Sequence, residues 1–237
     1  MNETPIELQG IVKSYGDKHV LTGLDLAVPK GSVLGLLGTN GAGKTTLIKC
    51  ALGLIRPQQG KARLLGEDSW TLSAEAKMRI GYVPQVVNLY PWMKVRHLID
   101  YTAAFYPNWN YDMVGRLMSQ WSLAANDRIG PLSPGQLQKL AIVLALGHDP
   151  DLLILDEPAA SLDPLARRQF LQMIIELAEP GKRTVLFSTH ITADLERVAD
   201  RVAILKSGRI AWDGSLEDLK EQTHVSLEDS FLEMYDA

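Results

Sequence analysis

The segment that most constrains this chain runs from 38 to 45 and reads Gly-Thr-Asn-Gly-Ala-Gly-Lys-Thr. It fits the phosphate-binding loop, in which a glycine is followed after four residues by Gly-Lys-Thr. The apolar run 33–37 before it predicts a buried parallel strand, and residues 46–52 after it predict a helix that ends at Gly53. Because the pattern needs this strand–loop–helix context, a simple tight turn is the less favoured interpretation.

Each part of this segment is predicted to hold a nucleotide in a different way. The glycines let successive backbone N–H groups converge on an anion, and the start of the helix adds partial positive charge. Lys44 is predicted to reach the β- and γ-phosphates, and the hydroxyl of Thr45 is predicted to bind Mg²⁺. The predicted nucleotide contacts in this segment are Gly38, Asn40, Gly41, Ala42, Gly43, Lys44, Thr45 and Thr46.

Composition fits an ordinary globular protein and excludes several other classes. Of the 237 residues, 46% are apolar and 22% are charged, and the net charge of −4 gives no reason to predict a nucleic-acid partner. Cys50 is the only cysteine, which excludes an intrachain disulfide and fits a reducing compartment. We find no secretory signal and no apolar run long enough to span a bilayer. A role at a membrane would therefore need another chain to provide the span.

Local patterns predict the order of the elements along the chain. Residues 6–13 and 20–28 alternate as antiparallel strands, the short apolar run 152–155 predicts a strand buried on both faces, and residues 184–189 predict a further strand. Helical spacing of apolar residues dominates the range 87–148. We therefore predict an α/β fold with a P-loop NTPase core, an N-terminal antiparallel β subdomain and an inserted helical subdomain. The predicted single domain 1–237 divides into a core (1–86 and 149–214), a helical subdomain (87–148) and a C-terminal tail (215–237).

A second acidic site is predicted where the run 152–155 ends in Asp156 and Glu157. A carboxylate at a strand end can hold Mg²⁺ through its water shell. Because successive side chains of a strand point to opposite faces, the two carboxylates are expected to diverge. Glu157 would then be the general base for an attacking water. A solvated acidic strand end is the alternative, and it is disfavoured beside a phosphate loop.

Residues 132–136, Leu-Ser-Pro-Gly-Gln, resemble the L-S-G-G-Q signature of ATP-binding cassette (ABC) ATPases. Other elements of that family stand in the family's order over about 6–214. Tyr15 stands where an aromatic stacks on adenine, although its local sequence fits a hydrophobic filler equally well. Gln85 stands at the Q-loop, Asp163 at the D-loop, and His190 at the switch position, where it would contact the γ-phosphate.

The signature departs from the family pattern at Pro134, which stands in place of its first glycine. Proline removes a backbone N–H and fixes φ. The same residues nevertheless make a good helix start, with Ser133 as the N-cap, Pro134 in the first helical position and Gln136 completing a capping box. The Ser133 hydroxyl and the Gly135 N–H remain for phosphate contact, so we expect the signature to function.

The resemblance implies an ATP-binding and ATP-hydrolysing subunit that drives a separate membrane permease, more often for export. Two copies, or this chain and a second ABC ATPase, would sandwich two ATP molecules. It also implies a cytoplasmic protein held peripherally at the inner face of the cell membrane through its permease. The permease would dock on the stretch from 85 to 95, where Tyr90, Pro91, Trp92 and Met93 are expected to be exposed.

In each ATP site, the phosphate loop of one copy would face the signature of the other. The implied catalytic residues are Glu157, His190 and Gln85. The implied Mg²⁺ ligands are Thr45, Gln85 and Asp156. The further implied nucleotide contacts are Tyr15, Ser133, Gly135, Gln136 and Asp163. Two alternatives stay open: a soluble ABC ATPase that acts on ribosomes or DNA, and a regulatory protein that binds ATP without turning it over.

Overall fold

A computed structural model describes residues 4–177, 183–223 and 226–236 of the chain. The strands are β1 (Ile6–Tyr15), β2 (Lys18–Val28), β3 (Val33–Leu37), β4 (Gln59–Leu64), β5 (Glu67–Asp68), β6 (Ile80–Val83), β7 (Leu152–Leu155), β8 (Thr184–Thr189), β9 (Arg201–Lys206) and β10 (Arg209–Ser215). The helices are α1 (Lys44–Ala51), α2 (Ala74–Met78), α3 (Val95–Ala103), α4 (Tyr111–Gln120), α5 (Pro134–Leu146), α6 (Pro164–Leu177), α7 (Thr192–Val198), α8 (Leu216–Thr223) and α9 (Leu227–Asp236).

The N-terminal strands form a small antiparallel sheet in the order β2-β1-β4-β5. β1 pairs with β2 on one side and with β4 on the other, both antiparallel. Apolar side chains of β1 and β2 alternate toward a buried face, as the loose alternation in the sequence predicts. This sheet covers one side of the helix that follows the phosphate loop.

The larger sheet has the order β10-β9-β3-β8-β7-β6. Its inner strands run parallel, and β9 and β10 form an antiparallel hairpin at one edge. Every residue of β3, β7 and β8 is buried, because the sheet is covered on both faces. The carboxyl ends of β3, β7 and β8 therefore meet at one edge, which is where ligands bind in open α/β sheets.

Two hydrophobic clusters lie on opposite faces of the larger sheet, and β3 contributes to both. Leu34 and Leu36 point into the cluster between the two sheets, which also holds α1 and the buried Cys50. Val33 and Leu37 point into the other cluster, which contains the helical segments and the C-terminal helices. The side chains of β3 thus alternate between two cores. This packing fixes the position of the strand and of the loop that follows it.

Helices α3, α4 and α5 lie between β6 and β7 in sequence, within the range predicted to be helical. Helix α2 begins at Ala74 because the side chain of Ser73 caps it by accepting the Ala76 N–H. The C-terminal tail contains two helices, α8 and α9. Among the described residues, no helix has both the length and the apolar character of a membrane span.

Candidate nucleotide-binding site

The phosphate loop lies between the carboxyl end of β3 and the start of α1, at the edge where the parallel strands end. Gly43 caps α1 with a φ of 110°, a conformation that favours glycine. A Cβ on Gly43 would also lie 3.2 Å from side-chain atoms of Leu21 and Val20. The loop therefore needs glycine here, both for its backbone conformation and for its close approach to β2.

Lys44 lies inside the loop and is almost completely buried. Its Nζ donates hydrogen bonds to the carbonyl oxygens of Gly38 at 2.7 Å and Thr39 at 3.1 Å. The same nitrogen lies 3.0 Å from Oε1 of Glu157. A cation removed from water and surrounded by oxygen atoms is well placed to bind phosphate oxygens.

Asp156 follows β7 and is completely buried. Its Oδ1 accepts a hydrogen bond from the Ser188 hydroxyl at 2.8 Å, while Oδ2 is buried with no hydrogen-bond partner among the described residues. Burial raises the pKa of Asp156 above its usual value, and the hydroxyls of Ser188 and nearby Thr45 oppose that rise. A buried carboxylate oxygen left without a donor fits the oxygen chemistry of Mg²⁺.

Strand alternation does not place Glu157, because β7 ends at Leu155, before both carboxylates, and Glu157 has a φ of 45°, outside the range of a strand. Its carboxylate lies between Lys44 and His190, with Oε2 at 3.4 Å from Nδ1 of His190. A carboxylate, an ammonium and an imidazole therefore converge beside the loop, which is a suitable set for moving a proton next to a phosphate.

Ser188 is a residue of this site that sequence reasoning did not find. It is completely buried near the end of β8, and its hydroxyl accepts the Glu157 N–H at 2.9 Å while donating to Asp156. One hydroxyl thus fixes both acidic residues. A serine that follows the apolar residues 185–187, two positions before His190, is the only sequence signal for it.

The three predicted Mg²⁺ ligands are supplied by three different segments. The Thr45 hydroxyl donates to Oε1 of Gln85 at 3.3 Å, and Asp156 lies close enough to Thr45 for its hydroxyl to lower the pKa of the carboxyl. No cluster of three or more His, Cys, Asp or Glu side chains in the described part of the chain could hold a metal on its own. The oxygen atoms of Thr45, Gln85 and Asp156 fit a Mg²⁺ ion that also binds phosphate oxygens.

A cleft of about 560 Å³ opens beside the loop and brings together many of the predicted residues. Tyr15 lies at its rim with 52% of its surface exposed, and its ring packs under Nζ of Lys13. The predicted residues that line the cleft are Tyr15, Asn40, Gly41, Gly43, Lys44, Thr45, Thr46, Gln85, Glu157 and His190. The lining residues that were not predicted are Lys18, Val20 and Ala160.

Two predicted loop contacts do not line this cleft. The N–H of Ala42 donates to the carbonyl of Thr39 at 3.2 Å, and its side chain packs against the core between the sheets. Gly38 is pressed against β9, where an added Cβ would lie 2.9 Å from the carbonyl oxygen of Leu205. Both residues therefore shape the loop, and their direct contact with nucleotide stays a prediction.

The signature residues also lie outside the cleft. The predicted capping box is present at the start of α5, with the Gln136 N–H bound to Ser133 Oγ and the Ser133 N–H bound to Gln136 Oε1 at 2.9 Å. Pro134 occupies the first helical position, where its missing N–H costs nothing. Asp163 accepts the Ala166 N–H at the start of α6, and that bond lowers the pKa of its carboxyl. None of these four predicted contacts, Ser133, Gly135, Gln136 and Asp163, lines the cleft beside the phosphate loop of the same chain.

Comparison with known proteins identifies the family. The family model described as ABC transporter matches residues 21–160. The Nod factor export ATP-binding protein I of Burkholderia orbicola (strain AU 1054) is 38% identical over 226 residues, which cover 93% of this chain and 74% of that protein. The uncharacterized ABC transporter ATP-binding protein YxlF of Bacillus subtilis (strain 168) is 35% identical over 227 residues, covering 94% and 75%.

A solved structure described as the ATP binding subunit of an ABC transporter has a TM-score of 0.89 at 29% identity, covering 98% of this chain and 99% of that one. These likenesses confirm the predicted fold class, a P-loop NTPase core with an antiparallel β subdomain and an inserted helical subdomain. They also confirm the predicted use of ATP. The chain belongs to the ABC transporter family, as an ATP-binding subunit with ATPase activity.

Proposed function

We propose that this chain powers a separate membrane permease by forming an ATP-dependent dimer, and that the transported compound leaves the cell. The observation that carries the proposal is the convergence of Lys44, Glu157 and His190 beside the phosphate loop. Export is favoured by a relative at 38% identity that is described as an export ATP-binding protein. The partner in the dimer is either a second copy of this chain or a different ABC ATPase.

Hydrolysis begins when Glu157 accepts a proton from a water that attacks the γ-phosphate in line. The water oxygen bonds to phosphorus as the bond from phosphorus to the ADP oxygen breaks, and Lys44 and His190 offset the negative charge that develops. The described contacts suit these roles, because the Glu157 carboxylate already lies within reach of both side chains. Thr45, Gln85 and Asp156 would hold Mg²⁺, which supplies further positive charge at the β- and γ-phosphates when bound.

The dimer is proposed because the signature of one chain does not reach its own phosphate loop. Ser133 is exposed at the start of α5, and its hydroxyl accepts from Gln136 while keeping its own hydrogen for donation. An added Cβ on Gly135 would lie 2.9 Å from the carbonyl oxygen of Ser161, so the signature packs against the D-loop segment of the same chain. We infer that these two segments together face the phosphate loop of the second copy.

The permease is proposed to bind a group of exposed aromatic side chains, which we call the aromatic patch: Tyr90, Trp92, Tyr101 and Phe105. The ring centroids of Tyr90 and Trp92 are 5.4 Å apart, and those of Tyr101 and Phe105 are 5.2 Å apart. Trp92 is 67% exposed. Contiguous exposed apolar surface of this kind marks binding sites for other proteins.

Met93 does not belong to the aromatic patch, although its sequence position suggests that it should. It is half-buried and packs against the helical core, and its carbonyl accepts the N–H of Ile129. Its exposure was therefore wrongly predicted. The patch instead extends onto α3 through Tyr101 and reaches Phe105 just beyond the end of that helix.

The experiment that tests the proposed function is purification of the tagged chain from detergent-solubilised membranes, followed by identification of the proteins that accompany it. We expect a membrane permease that stimulates ATP hydrolysis when both are reconstituted in vesicles. We also expect a Glu157→Gln chain to bind the same permease without supporting transport. Recovery of ribosomes or DNA in place of a membrane protein would contradict the proposal and favour a soluble ABC ATPase.

A further inference from the structure

The C-terminal helix α9 ends at the phosphate loop and touches it through a single hydroxyl. Oη of Tyr235 accepts the backbone N–H of Thr39 at 3.2 Å and donates to the carbonyl oxygen of Leu205 at 2.5 Å. Thr39 is the second residue of the phosphate loop, and Leu205 lies in β9. One side chain therefore joins α9, the central sheet and the loop that binds ATP.

The peptide group between Gly38 and Thr39 links Tyr235 to Lys44. Its N–H belongs to Thr39 and donates to Oη of Tyr235 at 3.2 Å, and its carbonyl oxygen belongs to Gly38 and accepts Nζ of Lys44 at 2.7 Å. The next carbonyl, that of Thr39, accepts the Ala42 N–H at 3.2 Å and Nζ of Lys44 at 3.1 Å. A peptide group that is hydrogen-bonded on both sides resists rotation, so Tyr235 also helps to fix the Gly38 carbonyl that orients Lys44.

α9 is held in place by contacts that do not involve the loop. Nζ of Lys206 donates to the carbonyl of Met234 at 2.6 Å. This carbonyl lies in the last turn of α9, where a positive charge stabilises a helix. The same ammonium lies over the Tyr235 ring, whose centroid is 4.5 Å from that of Phe231. Phe231, Met234 and Tyr235 all pack against the core cluster. The hydroxyl is thus brought to Thr39 by a specific docking of α9.

We propose that Tyr235 is a positioning residue of the nucleotide site and that the docking of α9 is coupled to ATP affinity. The proposal rests only on the use of the phosphate loop for ATP, and not on a dimer or a permease. Because coupling between two sites is reciprocal, ATP must strengthen the docking of α9 by the same factor by which docked α9 strengthens ATP binding.

The test is calorimetric titration of purified Tyr235→Phe protein with Mg²⁺–ATP. The substitution keeps the ring contacts and removes only the hydroxyl. We expect affinity to fall about 3- to 10-fold, as the loss of one hydrogen bond predicts. The matched control is Tyr111→Phe, the same change at an exposed tyrosine of α4, which should leave affinity unchanged.

A second measurement separates coupling from a general loss of stability. Amide hydrogen exchange in α9 should slow when ATP is added to the wild-type protein, and this effect should be lost in Tyr235→Phe. Lys206→Met keeps the hydroxyl but loosens α9, and it should weaken ATP binding by a smaller factor. The proposal would be overturned if Tyr235→Phe bound Mg²⁺–ATP with wild-type affinity. It would also be overturned if ATP did not change amide exchange in α9 of the wild-type protein. Failure to find a permease would leave this result unaffected, whereas loss of ATP binding in every variant would point to a failure of the loop itself.

Discussion

Nζ of Lys44 lies 3.0 Å from Oε1 of Glu157, so the cation of the phosphate loop is paired with the proposed catalytic base. Both side chains are buried, at 4% and 8% exposure, and a buried charge without a partner is strongly destabilising. A γ-phosphate entering the loop would compete with Glu157 for Lys44. We infer that ATP binding shifts Lys44 toward phosphate and releases the Glu157 carboxylate to accept a proton from water.

Lys44→Ala should abolish ATP binding or weaken it by about 100-fold or more, the scale expected when one member of a buried charge pair is removed. The change also removes the ammonium partner of Glu157 beside the phosphates, which adds repulsion. Calorimetry with Mg²⁺–ATP measures the effect. Lys49→Ala, on the same helix but away from the cleft, is the matched control and should bind ATP normally. Unchanged affinity in Lys44→Ala would mean that the loop is only structural.

Ser188→Ala should lower the turnover number by about tenfold or more and raise the Mg²⁺ concentration needed for half-maximal rate, while ATP affinity changes little. The reason is that one hydroxyl holds the Asp156 carboxylate and the Glu157 N–H, and losing it disturbs both groups together. Steady-state kinetics at varied Mg²⁺ measures both effects. Ser188→Thr keeps the hydroxyl and should restore much of the rate. Normal turnover in Ser188→Ala would exclude the residue from the site.

Trp92→Ala should leave ATP binding nearly intact and weaken the association with the permease. Trp92 is 67% exposed in the aromatic patch and does not line the nucleotide cleft. Exposed aromatic residues often supply most of the binding energy of an interface. Co-sedimentation with permease-containing vesicles measures the loss. Trp70→Ala, at an exposed tryptophan outside the patch, is the control. Equal co-sedimentation of both variants would rule out this surface as the docking site.

Cys50 should be unreactive in the folded protein. Its side chain is 1% exposed, and burial raises the pKa of its thiol from 9.0 to about 11. At about pH 8 a thiol with that pKa is only about 0.1% thiolate, which is the reactive form. A chromogenic disulfide reagent should label it slowly until denaturant is added. Rapid labelling of the native protein would contradict the burial of α1 against the core.

The same pKa shift has a consequence for stability. Because the folded-state value lies above the unfolded one, the stability that the buried thiol contributes is present below about pH 9 and is lost as pH rises through about 11. Cys50→Ala should therefore show a smaller fall in unfolding free energy between pH 8.5 and pH 10.5, roughly the window between the two values. Denaturant unfolding at both pH values measures the difference. Identical pH profiles for the two proteins would contradict the raised pKa.

The central parts of the site could be predicted from the sequence because they are local. A phosphate loop is contiguous, and Asp156 with Glu157 ends an apolar run whose four residues are typical of a buried strand. The carboxyl ends of parallel strands share one edge, so the two segments had to meet. The capping box at Ser133 was predictable for the same reason, since it depends on a few consecutive residues.

The contacts that were missed depend on tertiary structure. Ser188 meets Asp156 only because β8 pairs with β7 in a particular register, and a short polar residue in an apolar strand does not reveal that register. Tyr235 meets Thr39 across 196 positions of the chain. The burial of Met93 depends on how an irregular segment packs against the helical core. No local pattern carries these relationships.

Glu157→Gln should trap the ATP-bound dimer on which the proposed mechanism depends. The amide keeps the size of the side chain but cannot accept the proton, so turnover should fall by about 100- to 10,000-fold. Binding should survive, because Lys44 and Thr45 remain in the loop and Lys44 no longer faces a competing carboxylate. The ATP molecules would then stay between the two chains.

The most direct measurement is the molar mass of Glu157→Gln protein by light scattering after gel filtration, with and without Mg²⁺–ATP. We predict a monomer without nucleotide and a dimer at saturating Mg²⁺–ATP. Adding Ser133→Arg should return the protein to a monomer, because the larger side chain fills the space of the phosphate contact. A Glu157→Gln protein that binds ATP yet remains monomeric at saturation would contradict the proposed two-chain site.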